Sequence, residues 1–334
     1  MKRFAFAVLA LAGLVGAVYM RAEGGFLSNG LLPPVPVPFD NPQTDAKIRL
    51  GKQLYFDPRL SSDNTVSCAK CHDPRCGWAD TTPVSEGVGH KKGGRNSPSV
   101  LNGAYVVPQF WDGRALHLEK QAVGPVQNPL EMDLTIPELL TRLNAIPGYA
   151  EQFQRVFGEG PTEENVAKAI AAFERTVIST NSPYDKYIQG DLSAMSRAAV
   201  RGMDLFNGKG HCTTCHSGPT FSDSRFHNLG IGYRDGKLAD VGRYAVTKYP
   251  QDVGAFRTPG LRSVALTPPY LHDGSEPTLE AVIELYNRGG IPNPNLDPAM
   301  VPLNLTAREK ADLVEFLKAL TGEPLKIEAP ELPK

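Results

Sequence analysis

"SCAKCHDPRCGW", residues 67–78, holds three of the chain's five cysteines, and two of them stand in the pattern Cys-x-x-Cys-His: Cys68, Cys71 and His72. The same spacing returns in the second half of the chain as Cys212, Cys215 and His216. Two cysteines about one helical turn apart can each form a thioether to one vinyl group of a haem, and the adjacent histidine then lies beneath the iron as its proximal ligand. Zinc would want four ligands converging from two knuckles and gives no reason for a histidine after each second cysteine. A disulfide inside Cys-x-x-Cys would suit an exported oxidoreductase, and again leaves the paired histidines as coincidence. The pattern therefore predicts two covalently bound haem c groups. Cys76 is left over. It reads either as a small apolar thiol near the first haem or as a partner for oxidation or dimerisation.

Around the motifs the chain reads as mainly α. Of its 334 residues, 41% are hydrophobic and 21% charged, enough to bury the cores of two domains of ordinary size. The formal net charge of −1 offers no basic excess for nucleic acid, which is excluded as a partner. At the N-terminus, Lys2 and Arg3 precede an uncharged apolar run from Phe4 to Met20, followed by Arg21 and Ala22. Residues 1–22 read as a secretory signal peptide, with a retained membrane anchor as the alternative; both put the folded part outside the cytoplasmic membrane.

Helical periodicity runs over Asp45 to Tyr55 ahead of the first motif, and from Thr162 through Val166, Ile170 and Phe173 to Val177. A third run starts at Ser193 and reaches Phe206 before Asn207-Gly208. Thr306 and Glu309 form a capping box ahead of Leu313, Phe316, Leu317 and Leu320, with Gly322 as the stop. The pattern predicts two cytochrome c-like helical domains, residues 23–190 and 191–334, each carrying one haem. The 29 prolines and 32 glycines fall mainly between helices and predict long ordered loops over the haems. No close repeat beyond the two motifs is evident, so the haems are expected to have different surroundings and tasks.

With both motifs in hand, the chain resembles the bacterial dihaem cytochrome c peroxidase and MauG family. The likeness runs through "LGKQLYFDPRLS" (50–61), "GGRNSPS", "FWDGRALHLEKQAVGPVQNPLEM", "FRTPGLRSVALTPPYLHDG" and "LTAREKADLVEFLKALTG". It implies a periplasmic enzyme whose N-terminal haem, on His72, cleaves hydrogen peroxide, with Gln121 and Glu131 in its pocket. A carboxylate can move a proton between the two peroxide oxygens, and an amide can orient them. Read without the resemblance, Gln121 would sit on a solvated helix face and Glu131 would pair with a surface cation. Trp111 matches a tryptophan that the family places between the haems. Asn96, with the carbonyls of Thr267 and Pro269, matches an inter-haem calcium site, and oxygen ligands suit that hard ion.

Two positions depart from well-known peroxidases. Where they carry a histidine that blocks the first haem, counting back from Asn96 reaches Val88, which cannot ligate iron. His90 lies two residues on, and a solvent-facing side chain is its plainer reading. Where peroxidases place a methionine on the second haem, counting on from Thr267 reaches Tyr286, as in MauG; Met300 is the rival ligand. A phenolate stabilises oxidised iron, which favours storing oxidising equivalents. The tryptophan through which MauG reaches its protein substrate is replaced by Gly210. His272 and Asp273 match a His-Asp-Gly stretch near the second haem, with structural and catalytic roles equally open.

The leading expectation is a peroxidase fed with electrons through the C-terminal haem by a small donor protein, a c-type cytochrome or cupredoxin. The alternatives are a MauG-like enzyme that oxidises residues of a partner protein, and an electron-transfer cytochrome without turnover. A homodimer is compatible with each.

Overall fold

A computed structural model describes residues 30–334. The signal segment read at 1–22 lies outside the described residues.

The helix Asp45–Phe56 begins at Thr44, whose side chain accepts from the Lys47 amide, and it buries Leu50, Leu54 and Tyr55. It crosses Glu163–Glu174, capped in the same way by Thr162. The crossing is close because residue 51 is glycine: a Cβ there would run into the Ala169 carbonyl oxygen. The second half builds the same joint. Arg197–Asn207, capped by Ser196, crosses Ala307–Ala319 at Gly202, where a Cβ would run into the Asp312 carbonyl oxygen. Four residues past each glycine an aromatic ring meets a phenylalanine edge-on. Tyr55 lies 5.1 Å from Phe173, and Phe206 lies 5.1 Å from Phe316, between ring centroids. Each of these phenylalanines is buried, which stabilises its crossing by roughly 1.5–3 kcal/mol.

Each crossing is the centre of an apolar cluster. Trp78, Val126, Leu139 and Phe153 join the first, and Phe221, Leu261, Ile283 and Leu320 join the second. The change from one to the other falls between Val177 and Tyr184. The segment after the last helix turns back. Leu325 and Ile327 pack on the first cluster, Arg59 donates to the Pro333 carbonyl at 3.0 Å, and the Gly148 amide donates to that of Lys334 at 3.1 Å.

Several helix ends differ from the sequence reading. The run expected to reach Val177 stops at Glu174. The helix expected from Ser193 begins only after Ser196, because Asp191 takes both the amide and the hydroxyl of Ser193 in a turn. The Thr306–Glu309 capping box forms as expected. Gly322, read as the stop, lies beyond the cap at Leu320, and its lack of a side chain admits the Ser179 hydroxyl and the Thr180 carbonyl. Two helices of ten or more residues went unread, Ile136–Ala145 and Pro147–Phe157; the first opens with a Thr135–Glu138 capping box and each has proline in its first turn.

Among the described residues, strands are limited to two antiparallel pairs, Phe226–His227 with Phe256–Arg257 and Tyr233–Arg234 with Lys237–Leu238. No described helix is long and apolar enough to cross a membrane.

Candidate active site

The second motif opens on a cavity of about 260 Å³. Cys212, Cys215 and His216 line it together with apolar side chains such as Phe206, Ile283 and Leu317. His216 is buried, with Nδ1 2.9 Å from the carbonyl of Phe221. A carbonyl can only accept, so Nδ1 carries the proton and Nε2 keeps its lone pair. Burial lowers the ring's pKa, partly opposed by that carbonyl, and keeps it neutral. Two thiols, a free imidazole lone pair and an apolar chamber fit a covalently attached haem c.

Tyr286 and Met300 both line this chamber, so the fold brings both rival ligands within its walls. Tyr286 comes from the helix Leu279–Asn287 and Met300 from the loop beyond it. The Tyr286 hydroxyl has no hydrogen-bond partner among the described residues. Burial first, and then the Cys215 and Cys212 thiols, push its pKa well above the ordinary phenol range.

The first motif lies on the short helix Cys68–Cys71. The His72 amide closes the turn onto the Cys68 carbonyl at 2.9 Å, and the Tyr55 hydroxyl donates to the His72 carbonyl at 2.9 Å. Nδ1 of His72 is enclosed and makes no hydrogen bond of good geometry. Burial lowers this ring's pKa too, against the backbone of Pro98 and Trp78. A neutral, enclosed imidazole beside two thiols fits the same cofactor. No disulfide joins any of the five cysteines, and Cys76 is half-buried at the end of the turn Pro74–Cys76. The two motifs do not converge on a shared ion. Among the described residues the one cluster of three ligand-type atoms is Cys215, Asp223 and His227. His227, held by Asp297 at 2.7 Å and Asp223 at 3.0 Å, has its pKa raised to about 10 by the Cys215 side chain first and then by those carboxylates.

Glu131 lines a separate cavity with Phe110, Arg114, Lys120 and Asn128. Asn128 places it: its carbonyl accepts from the Glu131 amide at 2.9 Å, and its Nδ2 donates to Oε1 at 2.6 Å. Burial raises the carboxyl's pKa, opposed by Asn128 and by the charge of Arg114, and burial also raises the thiols of Cys68 and Cys71, with Glu131 a lesser contributor. Gln121 is half-buried on the helix Leu118–Ala122 and does not line this cavity. Val88 is buried, and its amide donates to the Glu131 carbonyl at 2.8 Å. His90 points to water, its side chain 89% exposed, with Nδ1 against Glu86.

Between the motifs, Trp111 is buried and donates from Nε1 to the Asn96 carbonyl at 2.9 Å. Asn96 to Ser99 line the second motif's cavity, while the backbone of Pro98 faces the ring of His72. Asn96, Thr267 and Pro269 all reach that cavity, and Oδ1 of Asn96 accepts no hydrogen bond among the described residues. His272 lies edge-on to Trp111 and stacks on Phe256 at 3.5 Å, burial lowering its pKa to about 4. Asp273 accepts from the Ser275 amide and shapes the turn.

Sequence reasoning passed over Asn128, Arg114, Glu174 and Arg257. The Asn128-Pro129 dipeptide was a readable turn signal for the first. Glu174 follows the helix-crossing Phe173, is buried, and has no partner for Oε2; burial pushes its pKa up to about 8 despite Arg175 beside it. Nothing in the local sequence marks it.

Comparison with known proteins gives concordant matches. The family described as di-haem cytochrome c peroxidase matches residues 45–193. Cytochrome-c peroxidase IdrP1 of Pseudomonas sp. (strain SCT) is 40% identical over 90% of this chain and 88% of its own length. The methylamine utilization protein MauG of Methylorubrum extorquens is 42% identical over 90% of this chain and 85% of its own. Among solved structures, a MauG-like protein associated with microbial copper homeostasis superposes with a TM-score of 0.82 at 36% identity, covering 87% of this chain and 94% of that one.

Proposed function

Because the chain belongs to the di-haem cytochrome c peroxidase family, and is thereby a cytochrome-c peroxidase-like oxidoreductase acting on hydrogen peroxide, we propose that it reduces peroxide to water at the haem of Cys68, Cys71 and His72. Two protons and two electrons complete the reduction to two waters. The electrons come through the haem of Cys212, Cys215 and His216 from a small donor protein, a c-type cytochrome or cupredoxin. Each haem belongs to one helical unit, the change from the first to the second falling between Val177 and Tyr184 rather than at 190, in a protein exported to the periplasm.

The observation that carries this reading is Glu131. Haem iron on His72 supplies the oxygen–oxygen bond chemistry; the chain must supply the proton. A carboxyl whose pKa is raised by burial holds a proton nearer to neutral pH than a surface glutamate does, which is what a general acid requires. Asn128 fixes Oε1 and leaves Oε2 to carry the proton. Val88, buried against the Glu131 backbone, has a side chain that could not serve as a ligand to an iron held by His72. Gln121 would have to turn toward the Glu131 cavity to orient peroxide. Trp111, between the motifs, gives an aromatic path for electrons, and Asn96, Thr267 and Pro269 hold a calcium ion beside it.

A MauG-like reading is favoured by one feature, the unpartnered phenol of Tyr286, which suits a second haem that stores oxidising equivalents. Gly210 weighs against the MauG exit. A Cβ there would lie 2.8 Å from the Leu205 carbonyl and 3.1 Å from Cys212 Sγ, so the turn has no room for a tryptophan without shifting.

Replacing Glu131 by Gln tests the peroxidase reading. Steady-state peroxide turnover is expected to fall about 10²–10⁴-fold, the usual contribution of a positioned proton donor, with haem content unchanged. Unaltered turnover removes the role.

A further inference from the structure

Arg257 is 5% exposed and has no carboxylate partner among the described residues. The other two buried arginines have one each: Arg262 meets Asp185 at 2.8 Å, and Arg175 meets Glu119 at 2.6 Å. Arg257 spends only part of its donor capacity, Nε on the Phe110 carbonyl at 3.3 Å and Nη1 on that of Thr258 at 3.1 Å. Three of its five N–H groups remain, including both on Nη2. The strand Phe256–Arg257, pinned by the Arg257 amide on the Trp111 carbonyl at 2.8 Å, sets the residue on the wall of the cavity that holds Cys212, Cys215 and His216.

An unpaired guanidinium in a largely apolar chamber costs several kcal/mol. Burial alone lowers its pKa to about 10, with no acidic neighbour to oppose it. A chamber built this way is completed by an anion. We propose that Arg257 binds a propionate carboxylate of the haem attached at Cys212 and Cys215, and through that pairing raises the reduction potential of this haem. The guanidinium fork matches a carboxylate in bidentate geometry. A fixed positive charge beside the macrocycle favours the iron state of lower charge, the reduced one. The proposal rests on the covalent attachment of haem at the second motif.

Haem content by pyridine haemochrome comes first, because fewer than two haems per chain removes that attachment rather than the pairing. In protein carrying two haems, the crystal structure of the wild-type holoprotein should place a propionate oxygen within hydrogen-bonding distance of Nη1 or Nη2 of Arg257. Spectropotentiometry of Arg257→Gln should then show the potential of the His216 haem shifted down and that of the His72 haem moved less, with Arg257→Lys between Gln and wild type. A guanidinium without a propionate contact overturns the proposal even if Arg257→Gln fails to mature. Unchanged potentials in a matured Arg257→Gln protein overturn it as well.

Discussion

The two halves share a joint and a Cys-x-x-Cys-His motif and differ in the side chains around that motif. Gly51, Tyr55, Ala169 and Phe173 in the first correspond to Gly202, Phe206, Asp312 and Phe316 in the second, with the same ring separation. One place further on, the correspondence breaks. Glu174 is a buried carboxyl beside Cys68, whereas Leu317 is an apolar wall of the second cavity. The histidines diverge as well: His216 is oriented by the Phe221 carbonyl, and His72 has no such bond. Val88 and Glu131 are paired through their backbones in the first half, and Tyr286 and Met300 line the second motif's cavity. Backbone crossings set where a motif sits, and loops with a few side chains decide what it does.

The comparison is most sharply tested at the second motif's rival ligands. If Tyr286 ligates iron, Tyr286→Phe should abolish the ligand-dependent optical and electron spin resonance signature of one haem and leave Met300→Leu like wild type. The reverse result assigns the position to methionine and moves the two halves closer to an ordinary peroxidase. Wild-type diferric protein mixed with one equivalent of peroxide should react at once; reaction only after half-reduction breaks the reading of Tyr286 as an oxidised-state ligand.

The shared joint predicts similar damage from Gly51→Ala and Gly202→Ala. Each puts a methyl group into a backbone carbonyl, and each should cost about 3 kcal/mol or more in denaturant unfolding, at the upper end for overpacking. A large effect in one half alone would show that the correspondence is not energetic.

A smaller effect should separate the halves at Glu174. Its pKa is raised from the ordinary 4.5 to about 8 in the folded state, so between those values the folded chain binds more protons than the unfolded one, and stability falls as pH rises. Wild type should lose on the order of a few kcal/mol across that window, and Glu174→Gln should flatten the dependence. An identical pH profile in the variant would mean that the carboxyl is paired in the holoprotein.

What the sequence made legible follows from how local each signal is. Cys-x-x-Cys-His, the Thr306–Glu309 box and the Asp45 to Tyr55 periodicity each fit within one or two helical turns, and the corresponding elements formed where they were read. The repeated joint escaped because it is carried by a glycine and one ring per helix, set against a partner helix more than a hundred residues away. Gln121 and Glu131 came from family resemblance; the fold put Glu131 in a cavity that Lys120 of the short helix Leu118–Ala122 lines and Gln121 does not. Arg257 and Glu174 could not be read at all. Their significance lies in lacking a partner, and a missing contact leaves no pattern in a sequence.

The return of residues 325–334 to the first cluster bears on the order in which the molecule can be assembled. Those residues leave the ribosome after the whole second half, yet Leu325, Ile327 and the carbonyls of Pro333 and Lys334 complete the packing and hydrogen bonding of the first. The first half to be synthesised is thus the last to be closed. Until then its surface around Arg59 and Gly148 stays open to solvent.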